Sequence, residues 1–370
     1  MIKFFDFNNY NKQILSSLQT KQLAWVNGKE IFEFEKKLRK TLNTKNLAIT
    51  CNSGSDALFL SLIYLKRINP QKNIIITTPF SYIASSSIPK FLGFELIYID
   101  LDIKDYLLDL HKLELFFDNT EKSTKSKIAG IIFVEIFGGT KNLNKLKKIA
   151  KKNNLWVLGD CAQSLGTKFK NNPSLDYYDI AITSFYPTKI LGAVGDGGAI
   201  FLKNISQYKN IFLLKNNGHE LINKDECLKI GVNSRLDTLQ SVVLQKKLKD
   251  LKNILKRKIE IIKYYNQNLK NYVQITKYEN NVKSNNYIYS FMVEKNFKKK
   301  LIDYLKKKGI EAKVIYKKLL SQNKVLKSKT ITELETAKIV RDQLVSIPSH
   351  PNLSDAEVEK ISKEIKNFIS

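Results

Sequence analysis

The chain has 370 residues, 43% of them hydrophobic, with 62 Lys plus Arg against 35 Asp plus Glu. That length and apolar share exclude a disordered chain and suggest about two domains. The net charge of +27 invites a nucleic-acid partner, yet only Arg39, Arg67, Arg235, Arg257 and Arg341 carry the forked donor that reads bases and phosphates. The other basic residues are Lys spread along the chain, a compositional bias that points to no nucleic acid.

The N-terminus, MIKFFDFNNYNKQ, has no long apolar run, so neither a signal peptide nor a membrane span is expected. Short apolar runs then follow at 47–50 (LAIT), 73–77 (NIIIT), 95–99 (ELIYI), 128–134 (IAGIIFV), 155–159 (LWVLG), 179–183 (DIAIT) and 198–202 (GAIFL). Their β-branched, continuously apolar character predicts strands buried on both faces. Amphipathic segments such as DALFLSLIYLKR and NLNKLKKIAKKNN lie between them, which predicts an α/β fold with a mostly parallel sheet flanked by helices. A long helix is expected over 236–271. Beyond it, YIYSFMV (287–293), the helix KKKLIDYLKKKG, the strand IEAKVIY (310–316) and the helix SDAEVEKISKEIKNFI suggest a smaller α+β domain. The expected division is a large domain over 1–250 and a small one over 251–370. Cys51, Cys161 and Cys227 are sparse and unpaired in spacing, which argues against disulfides or structural zinc and for a cytoplasmic protein. His111, His219 and His350 have no metal-ligand spacing.

Ligands in such sheets bind beyond the carboxyl ends of strands. Four stretches can be read together, the first three at such strand ends and the fourth at the start of the long helix. CNSGSDALFLSL opens a helix, so the N–H groups of Gly54, Ser55 and Asp56 can face an anion; taken alone, an ordinary turn capped by Ser53 or Ser55 is the simpler reading. LWVLGDCAQSLG ends a strand with Asp160, followed by Gln163; Asp160 either holds a buried cationic group or caps a turn. DIAITSFYPTKILGAVGDGGAIFL sets Ser184 and Lys189 between an aromatic-Pro turn and a Gly-rich stretch, where a desolvated Lys can attack a carbonyl. KIGVNSRLDTLQ carries Asn233 and the scarce Arg235, suited to carboxylate or phosphate. Pyridoxal phosphate would use these together: a Lys to attach it, an acid facing the pyridine nitrogen, and an anion cradle.

These stretches, with FFDF near the start and IPSHPNLS near the end, resemble the DegT/DnrJ/EryC1 group, fold-type I aminotransferases of nucleotide-linked keto sugars. The resemblance implies Lys189 as the Schiff-base lysine, Asp160 as partner of the pyridine nitrogen and Gln163 beside the ring hydroxyl. It puts Ser184 and the Gly54–Asp56 loop on the phosphate and Tyr82, from PFSY, on the ring face. It implies a homodimer with shared sites, Asn233 reaching the neighbour's phosphate, and glutamate as amino donor. Arg235, Tyr316 and His219 would face the sugar.

Family members often have His at Glu135, Gln at Gly139, an acidic residue at Gly159 and His-Tyr-Pro at Ile315–Lys317. The overall texture resembles members that aminate C3 of a UDP-linked 3-keto sugar. Retention of Arg235 fits a 3-keto-N-acetylglucosaminuronate, whereas Ile315 favours the uncharged 3-keto-N-acetylglucosamine. Amination at C4, a dTDP-keto-6-deoxysugar substrate and a non-catalytic sugar-nucleotide-binding relative are the alternatives. A dehydratase of the same group would lack Lys189.

Overall fold

The computed structural model describes residues 1–6, 24, 26–221, 225–328 and 332–370, so FFDF is seen only through Asp6. Helix α1 (Lys29–Leu42) precedes β1 (Leu47–Cys51), α2 (Gly54–Ile68), β2 (Ile74–Thr77), α3 (Ala84–Phe91) and β3 (Glu95–Tyr98). Then come α4 (Leu110–Asn119), β4 (Ile128–Val134), α5 (Leu143–Lys152), β5 (Trp156–Asp160), β6 (Ile180–Ser184) and β7 (Gly198–Leu202). All seven apolar runs form strands within a residue or two of their expected bounds.

They make one seven-stranded sheet in the order β1-β7-β6-β5-β4-β2-β3. Pairing is parallel from β6 through to β3, but β7 runs antiparallel to both neighbours. The reversal aligns Cys51, Gly198 and Ser184 across three strands, while Asp160 pairs with Ile182 and Val134 next to them. The ends of β1, β6, β5 and β4 and the start of β7 therefore lie along one rim.

After α6 (Ile205–Lys215) the chain enters α7 (Thr238–Leu269), close to the expected long helix. Its first half, through Leu244, Leu248 and Leu251, packs into the core around the large sheet. Its second half, through Ile261, Tyr265 and Leu269, joins a separate core with Phe291, Leu301, Val345, Ile361 and the N-terminal Ile2. A three-stranded antiparallel sheet backs that second core: β8 (Gln274–Ile275), β9 (Tyr289–Met292) and, after α8 (Lys295–Lys307) and α9 (Glu335–Gln343), β10 (Leu344–Ile347). Helix α10 (Asp355–Ile369) closes the chain behind a capping box between Ser354 and Glu357. Residues after 250 also feed the first core, among them Tyr287, Ile288, Leu319 and Leu320.

The expected strand over 310–316 is not formed. Ile310 bridges Ile2 and Lys313 bridges Ser346, so the segment touches two different partners and builds a ladder with neither. No helix among the described residues is long and apolar enough to cross a membrane.

Candidate active site

At the strand rim the chain leaves β1 through Asn52 and Ser53 and turns directly into α2. Ser53 Oγ accepts from Asp56 N at 3.0 Å, the N-cap that the short polar run allows. Asp56 thus spends its N–H on the cap, and its carboxylate accepts from Ser234 Oγ at 2.7 Å. This corrects the expectation for Asp56: its N–H is not free for an anion. Gly54 and Ser55 keep N–H groups without acceptors among the described residues, at the positive end of a 15-residue helix. Two glycines let this loop sit down on the sheet. A Cβ on Gly54 would come within 2.7 Å of Ser184 Cβ, and one on Gly198 within 2.4 Å of the Ser53 carbonyl oxygen.

Asp160, at the end of β5, is 5% exposed. Its Oδ2 accepts from Ser85 Oγ at 2.9 Å and its Oδ1 from Ala162 N at 3.2 Å. Burial holds its pKa above the ordinary carboxylate value, opposed by those hydrogen bonds and by Lys189. Lys189 follows β6 in the SFYPTK turn, its N–H bonded to the Tyr186 carbonyl at 2.8 Å. Its Nζ lies 4.9 Å from the centre of the Tyr287 ring. Desolvation lowers its pKa to about 8, against the pull of Asp160. A lysine so placed carries a reactive neutral fraction near pH 7.

Gln163 Oε1 accepts from Phe137 N and its Nε2 donates to Tyr316 OH, both at 2.8 Å. The Tyr316 ring stacks on Phe137 at 6.3 Å. Gly54, Ser55, Tyr82, Asp160, Gln163, Ser184, Lys189, Ile315 and Tyr316 line one cavity of about 450 Å³. Tyr82 stands at its wall 61% exposed, offering a free ring face.

Besides Asp56, three expected residues are not brought there within one chain. Arg235 and His219 line a different depression with Asn27, Asn216 and Asn217; Arg235 donates to Asn216 Oδ1 at 3.1 Å, and His219 Nδ1 meets Glu226 O at 3.1 Å. Asn233 is solvent-exposed and bridges Asn216. Glu135 lies behind the cavity, fully buried, accepting from Ser174 Oγ at 2.8 Å, Tyr178 OH at 2.7 Å and Ser164 Oγ.

Tyr287 and Ser85 escaped the sequence reading. Ser85 carried a weak signal in the serine run after PFSY; Tyr287 carried none, being nearly a hundred positions beyond Lys189. Among the described residues, no His, Cys, Asp and Glu cluster could hold a metal.

Comparison with known proteins identifies the family and the fold. Residues 7–366 match the DegT/DnrJ/EryC1/StrS aminotransferase family. The UDP-2-acetamido-2-deoxy-3-oxo-D-glucuronate aminotransferase of Pseudomonas aeruginosa is 28% identical, over 99% of this chain and 100% of its own. The UDP-N-acetyl-3-dehydro-alpha-D-glucosamine 3-aminotransferase of Acidithiobacillus ferrooxidans is 26% identical, over 87% of this chain and 84% of its own. Among solved structures, a DegT DnrJ EryC1 StrS aminotransferase from Brucella abortus superposes with a TM-score of 0.91 at 27% identity, covering both chains completely. With a family match from end to end and the strand-rim cavity in place, the chain belongs to the DegT/DnrJ/EryC1/StrS aminotransferase family.

Proposed function

We propose that this chain is a pyridoxal-phosphate-dependent aminotransferase that converts a UDP-linked 2-acetamido-3-keto sugar to the 3-amino sugar, with glutamate as donor. The observation that carries the reading is the meeting of Lys189 and Asp160 in one cavity beside the free N–H groups of Gly54 and Ser55.

The residues fit the cofactor. Gly54 N–H, Ser55 N–H and the Ser184 hydroxyl would take its phosphate, Asp160 its pyridine nitrogen, Gln163 its ring hydroxyl and Tyr82 its ring face. When bound, the cofactor supplies a carbonyl for the amino group and a ring that withdraws electrons from the reacting carbon. Asp160, fixed by Ser85 and Ala162, keeps a proton on the pyridine nitrogen. Lys189 Nζ would hold the cofactor and, when free, would take up and return the proton at the substrate carbon as general base and acid. Buried apolar walls, including Ile182, Val134 and Ile288, exclude water around it.

The charged residues of the cavity are Asp160, Lys189 and Asp196. Ile315, beside Tyr316, puts an apolar side chain where family members often carry His, which favours the 3-keto-N-acetylglucosamine type over the uronate. Asn233, Arg235 and His219 are read as residues that serve the site of a second copy. Support comes from the apolar side chains exposed on the same loop, Leu228, Ile230 and Val232, which a homodimer would cover. We read residues 1–250 as the cofactor-binding domain and 251–370 as a smaller one, supported by the second core. Three free cysteines support a reducing, cytoplasmic setting. The test is turnover of each keto sugar with glutamate, monitored as 2-oxoglutarate. Amination of the 3-keto-N-acetylglucosamine compound supports the reading; turnover confined to 4-keto sugars refutes it.

A further inference from the structure

Tyr287 has contacts on every side of its ring and backbone. Its OH pairs with Thr188 Oγ1 at 3.0 Å, its N–H donates to Asn285 Oδ1 at 2.9 Å, and its carbonyl accepts from the buried Lys258 Nζ at 3.2 Å. Phe5 stacks on the ring at 6.4 Å with 27° between planes. Asn285 in turn donates to the Gln163 carbonyl at 2.9 Å, joining this segment to the Asp160–Gln163 turn. The backbone bonds fix where the residue sits, and the ring cannot swing away without losing the Thr188 bond and the Phe5 stack. Lys189 and Tyr287 together form part of the wall between the reaction cavity and a neighbouring one of about 350 Å³.

We propose that Tyr287 is a positioning residue that sets the proton affinity of Lys189, its ring serving as a fixed electrostatic floor beneath Nζ. The negative face of an aromatic ring favours a cation above it, most of all where water is excluded. Burial alone drives Lys189 toward the neutral amine. Asp160 opposes this from one side, and the ring opposes it from the other. The remaining charged groups are farther along the two cavities: Asp196 in the reaction cavity, and Asp6, Lys247, Asp250, Arg257, Lys258 and His350 in the neighbouring one. Tyr82, Tyr186 and Tyr316 complete the titratable set. The floor lets Lys189 be desolvated without losing the capacity to hold a proton, as a group that alternates between base and acid requires.

The inference rests on Lys189 being the cofactor lysine, and its test reads the lysine without the cofactor. Tyr287→Phe and the same position carrying trifluorophenylalanine share shape and both lack the hydroxyl, but differ in the charge on the ring face. In cofactor-free full-length protein, acetic anhydride labelling of Lys189 against pH, followed by peptide mass spectrometry, gives the titration midpoint. The expected result is a midpoint lower by about half to one pH unit with the fluorinated ring than with Phe. Identical midpoints overturn the proposal. Borohydride reduction of the cofactor-loaded protein tests the underlying reading separately: label on a lysine other than 189 refutes that reading.

Discussion

Removing the Ser85 hydroxyl isolates what holds Asp160 ionised. Ser85→Ala deletes one of two hydrogen bonds to a carboxylate that is 5% exposed, and leaves the Ala162 bond in place. A hydrogen bond to a charged acceptor contributes about 1.5–3 kcal/mol, so its loss raises the Asp160 pKa further. The sign follows from linkage. Asp160 already has a folded pKa above its unfolded value, so ionising it in the fold costs stability once the pH exceeds the unfolded value, and nothing below it. The variant enlarges that cost, and the apoprotein should lose about 2 kcal/mol at pH 7. The deficit should shrink as the pH falls toward the ordinary Asp range. Urea denaturation of both apoproteins at a series of pH values reads this directly. A deficit equal at every pH would mean that Ser85 acts only through packing, and the electrostatic reasoning would be wrong.

Lys189→Met should abolish transamination and cofactor attachment, measured by turnover and near-visible absorbance, while raising the unfolding midpoint of the apoprotein at pH 7. Wild-type stability should climb between pH 8 and 10.5, because the unfolded lysine still binds a proton there and the folded one does not, and the variant should lack that climb. In Gly198→Ala a methyl 2.4 Å from the Ser53 carbonyl displaces the 53–55 loop, so cofactor affinity should fall about tenfold or more in a fluorescence titration, a cost of about 1.4 kcal/mol. Tyr316→Phe frees Gln163 Nε2 but keeps the Phe137 stack; the expected cost is about 1 kcal/mol, read in kcat/KM. Ile315→His should raise turnover of the uronate substrate relative to the uncharged one, and an unchanged ratio would remove Ile315 from the specificity argument.

The sheet was legible because its strands are buried on both faces and so read as uninterrupted apolar runs, of which IAGIIFV is the clearest. The reversed β7 was not, since GAIFL looks the same in either direction and only its partners define its sense. IEAKVIY has strand-like residues, yet its two bridges lead to different segments, a tertiary fact that propensity cannot carry. Among site residues, Asp160, Ser184 and Lys189 stood out because each follows a recognisable strand within a few positions. Asp56 misled because a cap and an anion cradle use the same short polar loop, and only the Ser53 bond separates them. Tyr287 lay hidden because its importance comes from the approach of a distant segment to Lys189.

The antiparallel β7 also imposes an order of events during synthesis. Among the described residues strand β1 pairs only with β7, so there residues 47–51 have no neighbour in the sheet until residues 198–202 have left the ribosome. The Ser53–Gly54 loop rests on Gly198 and against Ser184, so the nascent chain holds no anion pocket while its first half is being made. Long-range pairing of this kind is slow and is completed late. Premature termination before residue 198 would leave β1 an open, apolar edge, and the fragment's hazard would be aggregation as well as inactivity.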